Sequence, residues 1–531
     1  MEETNTWVIE GCETFIGGNE DCDLFPNNYI KKITEAKNKT IFNKTENGAE
    51  AYDTTNSFAL DLFIKLVRNA KEELIIPLFH SAWKESPEIA VKIIFQTRDI
   101  RTGKGEKDVS FILLKELKEH YPETYKLNLK NLINYGRFDD LLIMSDYETE
   151  NMDVNFELSI LAEQLKEDEN KDHPSLASKW APREHTKSKS FYKLINLLFP
   201  NSSTKEKDYR LMIKKNMDKL NVVETLMCKN KWDEINFSHV PSKAMKLYGR
   251  KNVRKYNKNK TIDEKCEGAF ARHQGERFTE FLTNVATGKE KINVKGIHPH
   301  ELVDHYYKGN DVDEIIEMQW NKIIDELKRE GNINAISVVD VSGSMTSNDG
   351  LPLKVAISLG LITAELAIGE FHNKVITFDT NPTLCEITKT SLYDKFNEIK
   401  YIGWGMSTDL EKVFDLILEN TTNENIPKMI FIFTDMQFNC ASKMPEKTLY
   451  ENIKRKYSEN NRLLPKLIFW NLGSSETPGF PVTMSDFGTI YVSGFSQILL
   501  TSFMKGLSFY PIEIMMELLK KYDVIIHPNE I

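Results

Sequence analysis

Two folds in series are predicted for this chain: an all-α amino-terminal region of stacked helices and a doubly wound α/β carboxy-terminal domain. Three observations carry this expectation. Apolar residues recur at helical spacing through the first 330 residues, where strand-like runs are scarce. From Asn332 onward, short apolar β-branched runs alternate with amphipathic segments, the pattern of a mostly parallel sheet covered by helices on both faces. The run Asn334–Val339 also passes directly into Asp340-Val341-Ser342-Gly343-Ser344, polar residues at a strand's carboxyl end, where α/β folds place their ligands.

Residues 1–49 are rich in Asn, Thr, Glu and Gly and read as a flexible arm. Residues 50–331 read as all helical, from periodic segments at Phe58–Val67, Ala90–Phe95, Phe111–Leu117 and Phe156–Leu165. No fixed-period repeat is visible. An irregular solenoid of stacked helix pairs and an ordinary bundle both fit the pattern. Residues 332–531 read as the α/β domain. After the strand at 334–339 come a heavily buried helix from Pro352 to about Glu370 and short strands at 374–378 and 384–388. A helix at 408–420 and a strand at 428–433 follow. Glu446 to Ser458 reads as helix, 466–472 and 489–493 as strands, and Ser496 to about Leu507 as a closing helix.

The strand-end loops carry the chemistry. Asp340, Ser342 and Ser344 offer one carboxylate and two hydroxyls at alternating positions of one turn, hard oxygen donors suited to Mg²⁺, Mn²⁺ or Ca²⁺ and not to zinc. Thr408, in the Gly-rich loop Gly403–Asp409 before a helix, supplies a fourth donor; Asp435, after the apolar strand 428–433, supplies another carboxylate. These residues, in this order, resemble the von Willebrand factor A fold and its metal-ion-dependent adhesion site. The resemblance implies that Asp340, Ser342, Ser344, Thr408 and Asp435 hold one divalent cation, most simply Mg²⁺, with an open position for a partner's carboxylate. Asp409 reads as a helix-start residue, not a ligand.

Charge is the second signal. The chain is acidic at −10, yet Lys179–Lys260 holds 21 Lys and Arg against 7 Asp and Glu, a local excess of +14. Such asymmetry points to a polyanion partner. The stretch is densest at 246–260, where Tyr248 and Tyr256 interleave with cations; Arg250, Lys251, Arg254 and Lys255 are the candidate RNA contacts, chosen on charge density. A solvated Lys-rich face is the competing reading. Thr102-Gly-Lys-Gly-Glu106 lacks the hydroxyl residue a phosphate loop places after its Lys, so Arg98–Lys107 reads as a basic loop between helices that could contact phosphate. His298-Pro-His300 reads as a turn before a helix starting near Glu301.

The cysteines, Cys12, Cys22, Cys228, Cys266, Cys385 and Cys440, show no paired spacing and read as reduced thiols. The acidic start Met-Glu-Glu does not read as a secretory signal, and no apolar run is long enough to span a bilayer. A soluble cytoplasmic protein with no membrane partner is expected, with a virion location if the chain is viral.

The order of parts, with Ile297-His-Pro299, a short helical connector and then the D-x-S-x-S strand, resembles the TROVE plus A-domain layout of the Ro ribonucleoproteins. Arg98–Lys107, Asn134–Asp140, Trp232–Phe237 and Val240–Met245 resemble more closely an uncharacterised family of plants, fungi and giant viruses with the same layout. The resemblance implies a HEAT-like, TROVE-like solenoid closed by the A domain, and RNA bound on the basic helical region. The leading expectation is therefore a non-catalytic ribonucleoprotein-type scaffold, with RNA on the helices and an acidic protein ligand at the metal. A purely protein-binding scaffold without RNA is the alternative. A Mg²⁺-dependent hydrolase is disfavoured, because Ser342 stands where phosphatases of that kind carry a second carboxylate.

Overall fold

Where apolar residues repeat every three to four positions, burying one stripe against a neighbour stabilises a helix, and the first half of the chain is built this way. The computed structural model describes residues 42–45, 50–149, 156–186, 188–250, 253–256, 262–378, 382–400, 409–438, 449–473, 479–504 and 510–531. The expected arm over 1–49 falls largely outside these residues. Its end does not: β1 (Phe42–Lys44) pairs antiparallel with β2 (Glu50–Tyr52).

Sixteen helices follow among the described residues: α1 (Phe58–Lys65), α2 (Glu72–Glu85), α3 (Pro87–Arg98), α4 (Lys107–His120), α5 (Pro122–Asn128), α6 (Lys130–Tyr135), α7 (Asp139–Ser145), α8 (Phe156–Glu169), α9 (Ala177–Trp180), α10 (Lys189–Leu198), α11 (Lys205–Leu220), α12 (Val223–Cys228), α13 (Ser242–Tyr248), α14 (Ala269–Ala286), α15 (Pro299–Tyr307) and α16 (Glu314–Glu330). The four helical segments expected from periodicity fall on α1, α3, α4 and α8. Local chemistry sets the ends. Ser57 caps α1 by accepting from the Leu60 amide, and Ser86 with Pro87 opens α3. Between α13 and α14, β3 (Val253–Tyr256) and β4 (Ile262–Cys266) form an antiparallel pair in the basic stretch.

The carboxy-terminal part is a six-stranded mixed sheet. Its strands are β5 (Ala335–Asp340), β6 (Lys374–Phe378), β7 (Thr383–Glu386), β8 (Met429–Thr434), β9 (Lys466–Asn471) and β10 (Thr489–Ser493), in the order β10-β9-β8-β5-β6-β7. All neighbours are parallel except the edge strand β7, which is antiparallel to β6. Every residue of β5 is buried, which is why its sequence up to Asp340 is apolar apart from Ser337, whose hydroxyl donates to the Gly360 carbonyl, instead of an alternation. The helices are α17 (Ser347–Leu366), α18 (Leu392–Lys400), α19 (Leu410–Asn420), α20 (Leu449–Glu459), α21 (Ile498–Met504) and α22 (Pro511–Leu519). Asn348, Asp349 and Gly350 at the head of α17 are left-handed, so its regular turns begin near Pro352, as expected. Close helix-to-strand packing explains Gly360: a β-carbon there would meet Val339 Cγ2 at 2.4 Å.

The helical part meets the α/β part from both of its ends. At the amino-terminal end, the buried Lys104 donates to the carbonyls of Phe63 and Leu66 and, at 2.7 Å, to Ser493 Oγ at the end of β10. Tyr522 donates to Asp99 at 2.8 Å. At the other end, Trp320 of α16 donates to Glu365 at 3.0 Å, Lys354 pairs with Asp304 at 2.6 Å, and Glu317 accepts from the Leu392 amide at the start of α18 at 2.6 Å.

Candidate metal centre

Strand order explains why the site lies where it does. From β5 the chain moves to β6 on one side and later returns to β8 on the other, so the carboxyl ends of β5 and β8 flank a topological switch point. Asp340 is the last residue of β5 and Asp435 follows the last residue of β8.

Asp340 is fully buried and held at both oxygens. Oδ1 accepts from the Ser342 amide at 2.9 Å and Oδ2 accepts from Thr434 Oγ1 at 2.6 Å. Ser342 Oγ and Ser344 Oγ lie 3.1 Å apart, so the alternating hydroxyls converge as the sequence predicts. Asp435 is 8 % exposed, and its Oδ1 accepts from the Gln437 amide at 3.2 Å. Met436 takes a left-handed φ of 67°, a strained state for a residue with a side chain, at the turn that presents Asp435. A β-carbon at Gly473 would stand 2.4 Å from Asp435 Cβ, so only glycine lets the loop after β9 pass behind this carboxylate.

Burial pushes the Asp340 carboxyl strongly upward, and the negative charge of Asp435 pushes it further; the bonds from Thr434 and Ser342 offset part of this. Burial raises Asp435 as well, against hydrogen bonds from Ser344 and the Gln437 amide. Two buried carboxylates that disfavour each other's ionisation, with two hydroxyls beside them, are a donor set a divalent cation would relieve. All donors are hard oxygens, which fits Mg²⁺ chemistry.

Thr408 lies outside the described residues. Asp409 accepts from the Lys412 amide at 3.4 Å, the helix-start role expected of it. Sequence reasoning missed Thr434, which anchors Asp340, and Lys65 and Asn471, which line a small polar cleft with Asp435, Gln437 and Thr45. Thr45 donates to the Phe438 carbonyl at 2.6 Å, tying the segment after β1 to the loop after β8.

The candidate RNA residues divide. Lys251 lies outside the described residues. Arg254 and Lys255 lie on β3, opposite Lys265 and Glu264 in register. Arg250 is turned inward, with Nη1 3.0 Å from His305 Nδ1 and Nε buried. Elsewhere in the stretch, Arg210 pairs with Glu184, Lys229 with Asp218, and Lys189 and Lys193 with Glu148. An open groove of about 470 Å³ runs past Arg183, Arg210, Lys214 and Lys229.

In the loop at Arg98–Lys107, Arg98 and Lys104 turn inward, while Arg101 and Lys107 stay at the surface. Arg98 forms a buried two-point pair with Asp140 at 2.8 and 2.9 Å, Lys104 is fully buried, and Arg101 donates to the Asn134 carbonyl at 2.6 Å. His298 and Pro299 open α15, with the Glu301 carboxylate accepting from the His298 amide at 3.3 Å, so this segment is the helix start expected.

Comparison with known proteins divides the chain at the same place as the fold. Residues 45–144 and 156–333 match the domain of unknown function DUF2828, and residues 334–523 match the domain of unknown function DUF7788. The chain is also 35 % identical over 510 residues to "Uncharacterized protein L728" of Acanthamoeba polyphaga mimivirus, spanning 90 % of this chain and 87 % of that protein.

Proposed function

The chain belongs to the DUF2828 family and to that of the mimivirus protein L728, and from this premise we propose that it is a non-catalytic ribonucleoprotein-type scaffold. Its α/β part works as a von Willebrand factor A-type domain in which Asp340, Ser342, Ser344, Thr408 and Asp435 hold Mg²⁺ and leave one position for a partner's carboxylate. The observation that carries this reading is the convergence of the buried Asp340 and Asp435 with the paired hydroxyls of Ser342 and Ser344 at one switch point. The strand order with an antiparallel edge supports the same reading.

The helical part works as a TROVE-like solenoid that carries RNA. Its support is the +14 excess over 179–260, together with a helical region that contacts the α/β part at both ends, the connectivity a closed scaffold requires. Phosphate contacts dominate such binding and make it salt-dependent, with little sequence preference. Arg250 is not counted among them, since its guanidinium is turned toward His305. Lys251, Arg254 and Lys255 remain the proposed contacts. No hydrolytic role is proposed, because Ser342 occupies the position of the second carboxylate such an enzyme needs.

Filter retention of the full chain across a salt series, with structured and single-stranded RNA against duplex DNA, tests the RNA half. Preferred retention of RNA is expected. Neutralising Lys251, Arg254 and Lys255 together should lower the slope of log K against log salt by about 2. No RNA retention at low salt leaves a purely protein-binding scaffold, and an unchanged slope moves the RNA site elsewhere.

A further inference from the structure

A second donor cluster of different chemistry lies in the helical part, away from the strand-end loops. His80 is on α2, while Glu116 and His120 are one turn apart on the same face of α4. His80 Nε2 lies 2.7 Å and His120 Nε2 3.0 Å from the same oxygen, Glu116 Oε1. All three donor atoms fall within 4.8 Å of one another. Donors of a tetrahedral zinc ion with bonds near 2.0–2.1 Å stand about 3.3 Å apart, so an ion asks the Glu116 oxygen to open from the two imidazoles by roughly 0.3 to 0.6 Å.

Its surroundings favour a cation. His120 closes α4, where the helix carbonyls concentrate negative potential. Rings hold the imidazoles in place: His80 and His120 meet edge to face at 5.2 Å, and Phe79 lies 5.6 Å from His80. Behind them Trp83 and Tyr121 stack at 3.6 Å. Exposure rises from 14 % at the Glu116 side chain to 51 % at His120, so the cluster opens to solvent on one side.

We propose that His80, Glu116 and His120 form a zinc site that clamps α2 to α4 and keeps a fourth position for water or an incoming donor. Imidazole nitrogen selects zinc and its neighbours Co²⁺ and Ni²⁺ over Mg²⁺, which separates this site chemically from the all-oxygen centre at Asp340. The proposal does not depend on the scaffold reading.

The test uses the full chain stripped of metal and titrated with Co²⁺, followed by Zn²⁺ competing against a chromophoric chelator. One equivalent of Co²⁺ with the intense visible bands of a tetrahedral site is expected, displaced by Zn²⁺. H120N, at an exposed position, and E116Q should each weaken Zn²⁺ binding on the order of 100-fold while circular dichroism stays unchanged. D340A should leave it intact. Only weak octahedral bands, or equal Zn²⁺ affinity in the parent chain and both H120N and E116Q, would overturn the proposal and leave the three side chains as a hydrogen-bonded trio.

Discussion

Thr434 holds the more deeply buried of the two carboxylates at the proposed metal centre. Its hydroxyl donates to Asp340 Oδ2 at 2.6 Å and also accepts from the Met436 amide at 3.2 Å, so one side chain orients the ligand and shapes the turn that presents Asp435. T434V keeps the shape and removes the hydrogen bond. Divalent-cation affinity should fall about 10-fold or more, in line with the loss of outer-shell partners at other metal sites. Calorimetric Mg²⁺ titration checks this, and unchanged affinity would remove Thr434 from the site. At this scale Asp340, Ser342, Ser344 and Asp435 were legible in the sequence, because polar donors stand out against the apolar strands that precede them. Thr434 was not, since a hydroxyl at the last position of a strand looks like any β-branched strand residue. Gly473 was equally silent, its need for a missing side chain arising only from the approach to Asp435.

Among the elements, α15 shows what periodicity conveys and what it leaves out. The sequence marks its start at His298-Pro-His300, yet says nothing of burial. His300 is 4 % exposed, edge to face with Phe495 at 5.6 Å. Burial holds its imidazole well below the usual range, and the charges of His298, Arg68, Lys243 and Lys354 act in the same direction. The unfolded chain therefore binds a proton at His300 below about pH 6.5 while the native chain does not, and stability falls as pH drops through that window. H300F, which cannot titrate, should flatten this acid limb by about 1.4 kcal/mol for each pH unit of the window in denaturant titrations. An equally steep limb in H300F would place the acid sensitivity elsewhere. The central parallel strands β5, β8, β9 and β10 were legible because buried parallel strands are nearly continuous apolar runs. The helices α18 and α22 were not: α18 begins where Glu317, from distant α16, accepts from its first amides at 2.6 and 3.1 Å. The Arg98–Asp140 pair was hidden for the same reason, its partners lying 42 residues apart.

For the molecule as a whole, the two parts are tied through buried polar contacts at both ends of the helical region. Lys104 with Ser493, Asn471 with the Ile64 carbonyl at 3.4 Å, and Trp320 with Glu365 span the boundary. The carboxy-terminal segment adds to this. Glu530 accepts from the Glu123 and Thr124 amides at 3.0 and 2.8 Å, and the Ile525 amide donates to Asn128 at 2.9 Å. Separating the parts would leave these groups unpaired, so Phe42–Ile531 should melt as one cooperative unit. Scanning calorimetry of the full chain should show a single transition, and two resolved transitions would contradict this coupling. The switch in hydrophobic period near residue 331 is visible in the sequence, and the structure changes there from the helix α16 to the strand β5. The return of the chain end onto α5 is not visible there, since no local pattern announces a contact spanning some 400 residues.

The central claim is that the switch-point loops hold a divalent cation, and Mn²⁺ binding by the full chain, followed by electron paramagnetic resonance, tests it most directly. One Mn²⁺ displaced by Mg²⁺ is predicted for the parent chain, with that binding lost in D340A and circular dichroism unchanged. Mn²⁺ binding of equal strength in D340A, or none in the parent chain, would contradict the account.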